Sequence, residues 1–120
     1  MCWLVFRSTT ASRFVWGLDA VNEHLRKLLT IVTEAAVEKL LVKDLEKLGA
    51  HGYTITDVRG KGSRGVRNSA WEASSNIRVE VVCDQTTADA ITRHLQEHYY
   101  DNFAMILFTA DVAVVRPAKF

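Results

Sequence analysis

LLTIVTEAAVEKLLVKDLEKLGAHGYTITDVR, residues 28–59, changes its hydrophobic period twice. It opens with LLTIVT, residues 28–33, apolar and β-branched with no breaker, which predicts a buried strand. Apolar residues then fall at helical spacing: Val37, Leu40, Leu41, Leu45 and Leu48. Glu38, Lys39, Lys43, Asp44, Glu46 and Lys47 occupy the other face, so the helix is amphipathic. Gly49 is placed to stop it, and Gly52 marks the turn that follows. YTITDVR, residues 53–59, has strand composition. A strand–helix–strand unit is therefore expected.

Reading outward, residues 60–76 have no period and are rich in glycine, serine and asparagine. They read as a loop, long for a compact domain; such loops are commonly functional. IRVEVVC, residues 77–83, alternates: Ile77, Val79, Val81 and Cys83 to one face, Arg78 and Glu80 to the other. Thr86 or Thr87 can cap a second helix whose apolar stripe is Ala88, Ile91, Leu95 and Tyr99. Residues 105–115, MILFTADVAVV, form a last strand with a bend expected near Asp111, and Pro117 ends it. The order is βαββαβ, which predicts an α+β ferredoxin-like plait with both helices on one sheet face. The other face stays bare, and its apolar last strand points to self-association into a closed ring. Residues 28–120 form this domain. Residues 1–27 stand apart as an N-terminal extension, with Leu18, Val21, Leu25 and Leu28 at helical spacing.

The totals agree. The chain has 120 residues, 48 % of them hydrophobic, enough for one domain with a core. The formal net charge is +1, so any attraction for anions must come from a local cluster. Cys2 and Cys83 are too few for a disulfide scaffold, which points to a reducing, cytoplasmic compartment. Arg7 and Arg13 interrupt the apolar start, so neither a secretory leader nor a membrane span is expected. An interfacial anchor built from Trp3, Phe6, Phe14 and Trp16 is the alternative for that segment.

The local cluster lies in the long loop. Arg59, Lys61, Arg64 and Arg67 fall within nine residues without an intervening acid, separated by Gly60, Gly62 and Gly65. Glycine lets backbone N–H groups approach an oxyanion, and arginine adds a bidentate fork. The composition suits phosphate capture, but the loop lacks GxxxxGK[ST] and precedes a strand, not a helix. On composition alone, phosphate capture and a solvated basic loop both remain open.

The opening IVTE, the run GAHGYTITDVRGKGSRGVR and the alternating strand after it resemble the PII signalling superfamily. The stretch GYT…GKGSR.VR looks most like its SbtB and carboxysome-associated (CPII) branch. The resemblance implies a homotrimer of plaits whose long loop between strands two and three is the T-loop, with adenine nucleotides held between subunits. It assigns Gly62, Ser63, Arg64 and Arg67 to the phosphates, and Gly52, Tyr53 and Thr54 to the adenosine cleft. Val32 and Thr33 on the neighbouring subunit's first strand would complete that cleft. AMP, ADP or cyclic AMP are implied as ligands, with bicarbonate as a co-ligand. The implied role is non-enzymatic control of inorganic-carbon uptake through T-loop ordering, with a bicarbonate transporter or associated protein as partner. Neither nucleic acid nor direct membrane insertion is implied. The sequence departs from conventional PII proteins at residues 101–105, DNFAM, where they carry a Gly-Asp-Gly-Lys phosphate loop. Only Arg116 stands where they have paired arginines, so ATP with 2-oxoglutarate is disfavoured.

Other constellations carry rival readings. His94 and His98 are four apart on the second helix, a spacing open to a metal but lacking a third ligand; a solvated helix face is preferred. His51 reads as a turn residue. Glu72 would serve a slow nucleotide hydrolase at the same site. The basic loop with Trp71 would serve a single-stranded nucleic-acid binder, Trp71 being either a partner anchor or a packed loop residue. A trimeric plait of the divalent-cation-tolerance type shares the topology, but the long basic loop disfavours it.

Overall fold

The computed structural model describes residues 24–60 and 75–120. Strand β1 is Leu25–Glu34, followed by a 3-10 turn at Ala35–Val37 and helix α1, Glu38–Lys47. Strand β2 is Thr54–Val58, and β3 is Asn76–Cys83. Helix α2, Gln85–His98, leads to β4, Met105–Ala113, and a closing 3-10 turn at Pro117–Lys119. The sheet order is β2-β3-β1-β4, every pair antiparallel. This is the ferredoxin-like plait that the βαββαβ order predicts.

The period-2 reading of the strands is realised in the core. Leu29 and Ile31 of β1 and Ile77, Val79, Val81 and Cys83 of β3 all face the helices and are buried. Leu41 and Leu45 of α1 meet them, with Ala88, Ile91 and Leu95 of α2. Both helices thus cover one sheet face. Cross-strand partners share a face, so the open face carries the rows Thr56–Arg78–Val32–Ile106 and Thr54–Glu80–Thr30–Phe108. Its apolar side is at β4, where Ile106 and Phe108 remain 55 % and 54 % exposed.

Four local expectations are corrected. Strand β1 begins at Leu25, so Leu25 and Leu28 are strand residues, not part of a helical stripe. Their partners are Ala113 and Ala110 of β4, and pairing outweighs the local 3.6 spacing. Leu18 and Val21 lie outside the described residues. Strand β4 ends at Ala113 and stays paired through Asp111, which faces Lys27 and accepts a charged hydrogen bond from its Nζ. Helix α2 is capped by Asp84, not by Thr86 or Thr87: its Oδ1 accepts from Thr87 N–H at 2.8 Å. That contact and the Thr87 hydroxyl hold the Asp84 carboxyl below its usual range. His94, finally, is not on a solvated face; its contacts are described below. Gly49 ends α1 as its position suggests, with φ +103°, the left-handed conformation that favours glycine.

Candidate functional site: the β2 edge and the base of the long loop

Strand β2 is short, lies at one edge of the sheet, and leaves one side of its backbone unpaired among the described residues. Gly52 and Tyr53 lead directly into it, and Arg59 and Gly60 follow its last residue, where the basic loop begins in the sequence. At about 3.3 Å per residue, its five residues span roughly 17 Å. Gly52, Tyr53 and Thr54 are all exposed at its start, Tyr53 to 38 %. Among the described residues, and apart from its chain neighbours, no atom lies within 4 Å of a Cβ built on Gly52. Lys61, Gly62, Ser63, Arg64, Arg67, Trp71 and Glu72 lie outside the described residues.

Val32 and Thr33 sit elsewhere. Val32 is on the open face, between Arg78 and Ile106, two strands or about 10 Å from β2. Within one chain it does not reach the Gly52–Thr54 segment at the start of β2. Thr33 points to the core side, 2 % exposed, and its Oγ1–H donates to Ala104 O at 2.8 Å. Glu34, its neighbour, accepts from Ala104 N–H at 2.9 Å. These contacts fix the start of β4 against the end of β1, where residues 101–104 turn. Thr33 therefore serves this junction within its own chain.

His94, Asp44 and Tyr99 make the main polar cluster between the helices. Helix α1 places Asp44 on its inward edge, and α2 places His94 opposite. His94 Nε2–H donates to Asp44 Oδ2 at 3.0 Å, and Tyr99 O–H donates to the same oxygen. Burial pushes the Asp44 carboxyl up, but the Tyr99 and His94 hydrogen bonds and the His94 and Lys47 charges together hold it below its usual range. Burial, reinforced by the Asp44 bond and charge, pushes the Tyr99 phenol well above its ordinary value. The His98 ring lies 4.4 Å from that of His94, centroid to centroid. No group of three or more His, Cys, Asp or Glu among the described residues is arranged to hold a metal. The sequence reading missed this cluster because Asp44 looks like one more polar residue on the outer face of α1. Only the pairing of the two helices reveals its partner.

The remaining features do little chemistry. Burial, and then the nearby Asp84 charge, raise the Cys83 thiol to about 11, so it stays protonated and inert at neutral pH. A pocket of about 230 Å³ lies between Lys27, Asp111 and Gln85 and contains none of the candidate residues. No helix among the described residues is long and apolar enough to cross a membrane.

A ferredoxin-like plait whose edge strand delivers a long basic loop defines a class of protein, and comparison gives its family. The family described as nitrogen regulatory protein P-II matches residues 26–119. Similar solved structures include a PII-like signalling protein from Thermus thermophilus, at 46 % identity and TM-score 0.69, covering 80 % of this chain and 95 % of that one. CPII from Thiomonas intermedia, bound to ADP, AMP and acetate, is 26 % identical with TM-score 0.71, covering 81 % and 95 %. The same protein bound to ADP and bicarbonate is 26 % identical with TM-score 0.70, covering 80 % and 94 %. The chain belongs to the P-II family, as a PII-like signal-transduction protein of the CPII and SbtB type.

Proposed function

We propose that this chain is a homotrimeric, non-enzymatic regulator that binds an adenine nucleotide along the β2 edge, in a cleft between subunits. The observation that carries the reading is the course of β2. It leads from the exposed Gly52–Tyr53–Thr54 segment to Arg59 and Gly60, where the glycine- and arginine-rich loop begins in the sequence. An adenine nucleotide is elongated, with base and phosphates at opposite ends. Tyr53 and the unpaired β2 backbone suit the adenosine end. Gly62, Ser63, Arg64 and Arg67 supply N–H groups and guanidinium forks for the phosphates. AMP, ADP and cyclic AMP fit a site with no lysine in residues 101–105, and bicarbonate is the co-ligand. CPII of Thiomonas intermedia, bound to ADP with AMP or bicarbonate, supports that choice.

The trimer forms through the open sheet face. Ile106 and Phe108 are covered there, and Val32 of one subunit comes to the β2 edge of the next. This accounts for Val32 standing far from β2 within its own chain. Thr33 acts behind it, by holding residues 101–104 in place. Nucleotide binding orders the 60–76 loop, an order–disorder switch read by an inorganic-carbon transporter or its associated protein in the cytoplasm. The residues before Leu25, where β1 begins, are an extension to the plait.

Competition between ADP and GDP for the purified chain, with the mass of the assembly measured alongside, tests this reading. One ADP per subunit of a trimer, not displaced by GDP, supports it. Equal binding of both nucleotides, or binding by a monomer, contradicts it.

A further inference from the structure

Three consecutive residues at the end of β1 join two chain segments that are distant in sequence. Thr33 Oγ1–H donates to Ala104 O at 2.8 Å, and Ala104 N–H donates to the Glu34 carboxylate at 2.9 Å. Both backbone groups of Ala104 are thus held by adjacent side chains, one a donor and one an acceptor. Ala35 N–H donates to Ser75 O at 3.0 Å, at the returning end of the long loop. The next residue, Asn76, pairs with both Glu34 of β1 and Val58 of β2. Val58, Asn76 and Glu34 therefore form the last cross-strand row before the loop.

The 101–104 turn has its other anchors in the core. Asn102 N–H and Phe103 N–H both donate to Tyr99 O at 3.0 Å, and Phe103 packs on the hydrophobic cluster. Its helix side is fixed; on its β1 side Met105 pairs with Thr33 and packs on the core, while Ala104 itself is held by the Thr33 and Glu34 side chains. The Glu34 bond is exposed and charge-assisted, and it is the contact that a single side-chain truncation removes while leaving the core intact.

We infer that Glu34 is a positioning residue: the Thr33–Glu34–Ala35 corner locks the 101–104 turn to the returning base of the long loop, so that nucleotide affinity depends on a carboxylate that touches no ligand. The inference rests on the proposed adenylate site at that loop base. The geometry itself does not depend on the ligand. Loss of the carboxylate frees Ala104 N–H and loosens the end of β1 next to Ala35, whose N–H holds Ser75. Glutamine keeps an acceptor oxygen at the same position and preserves the lock.

The test compares wild type, Glu34→Ala and Glu34→Gln in the full chain. Amide hydrogen exchange is followed at residues 101–104 and 75–76 without ligand, and ADP affinity is measured by calorimetry. In Glu34→Ala, exchange rises in both segments and ADP binds about five- to tenfold more weakly, the range expected for one hydrogen bond. Glu34→Gln restores both, and thermal unfolding of all three proteins stays within a few degrees. Unchanged exchange at 75–76 in Glu34→Ala overturns the lock, whether or not any nucleotide binds. Raised exchange with unaltered ADP affinity overturns the positioning role. If wild type binds no adenylate, the functional reading and the positioning role both fail, and exchange alone decides the lock.

Discussion

Replacing Asp44 with alanine removes one carboxylate and leaves two donors without their acceptor. The Asp44 side chain is 17 % exposed, and the Tyr99 residue is 2 % exposed. The Tyr99 hydroxyl is left without its acceptor in a nearly buried position, and such an unsatisfied group costs about 1–3 kcal/mol. Loss of the partly exposed His94 contact adds about 0.5–1 kcal/mol. Asp44→Ala is therefore expected to destabilise the fold by about 1.5–4 kcal/mol. Tyr99→Phe removes the donor instead of orphaning it and is expected to cost about 1 kcal/mol. The double variant is then less damaged than the sum of the singles, by about 1–2 kcal/mol, because no hydroxyl is left unpaired. Urea unfolding at fixed protein concentration, followed by circular dichroism, measures all three changes. A cost below about 0.5 kcal/mol for Asp44→Ala, or strict additivity in the double variant, would refute the role assigned to this cluster.

The same carboxylates set the acid limit. Asp44 and Asp84 both have folded-state pKa values below their ordinary 3.8, so the unfolded chain binds more protons as the pH falls. Their contribution is complete above about pH 5 and is lost as the pH falls through the folded values; Asp44→Asn should flatten that limb in pH-dependent melts. The sign reverses in alkali. Cys83 and Tyr99 are raised, so stability falls as pH climbs above about 9, and Cys83→Ala should weaken this dependence. Gly49→Ala forces a Cβ onto a φ of +103° and should cost about 1 kcal/mol by urea unfolding, although the nearest side-chain atom is 3.8 Å away. Phe108→Glu places a charge on the open face and should reduce the assembly mass measured by light scattering. An unchanged trimer would place the subunit interface elsewhere.

The core of the plait was legible because period and burial coincide. Ile77, Val79, Val81 and Cys83 alternate in the sequence and are all buried, as are Leu41, Leu45, Ala88, Ile91 and Leu95 at helical spacing. Boundaries were less legible. Leu25 has an ambiguous local pattern, and its place in β1 is decided by Ala113, far along the chain. The Asp84 cap was missed because two threonines beside it have equal local claims. Asp44 escaped because a carboxylate among charged neighbours reads as solvated until its partner arrives from another element; Glu34, among small and apolar residues, escaped because its partner Ala104 is 70 residues away. The basic loop offers arginine and glycine, which suit anions, but residues 61–74 lie outside the described residues and their phosphate role stands as a proposal; Val32 and Thr33 entered through resemblance alone. Thr33 makes its hydrogen bond to Ala104, and Val32 stands on the open face.

The central claim is tested most directly by calorimetric titration with AMP, ADP, ATP and cyclic AMP, each with and without bicarbonate. Wild type and Arg64→Ala are compared. The account predicts saturable binding by wild type, with AMP, ADP or cyclic AMP preferred over ATP, and loss of at least about tenfold in affinity in Arg64→Ala, the range of a charged phosphate contact. Absence of adenylate binding by wild type, or full affinity in Arg64→Ala, would contradict it.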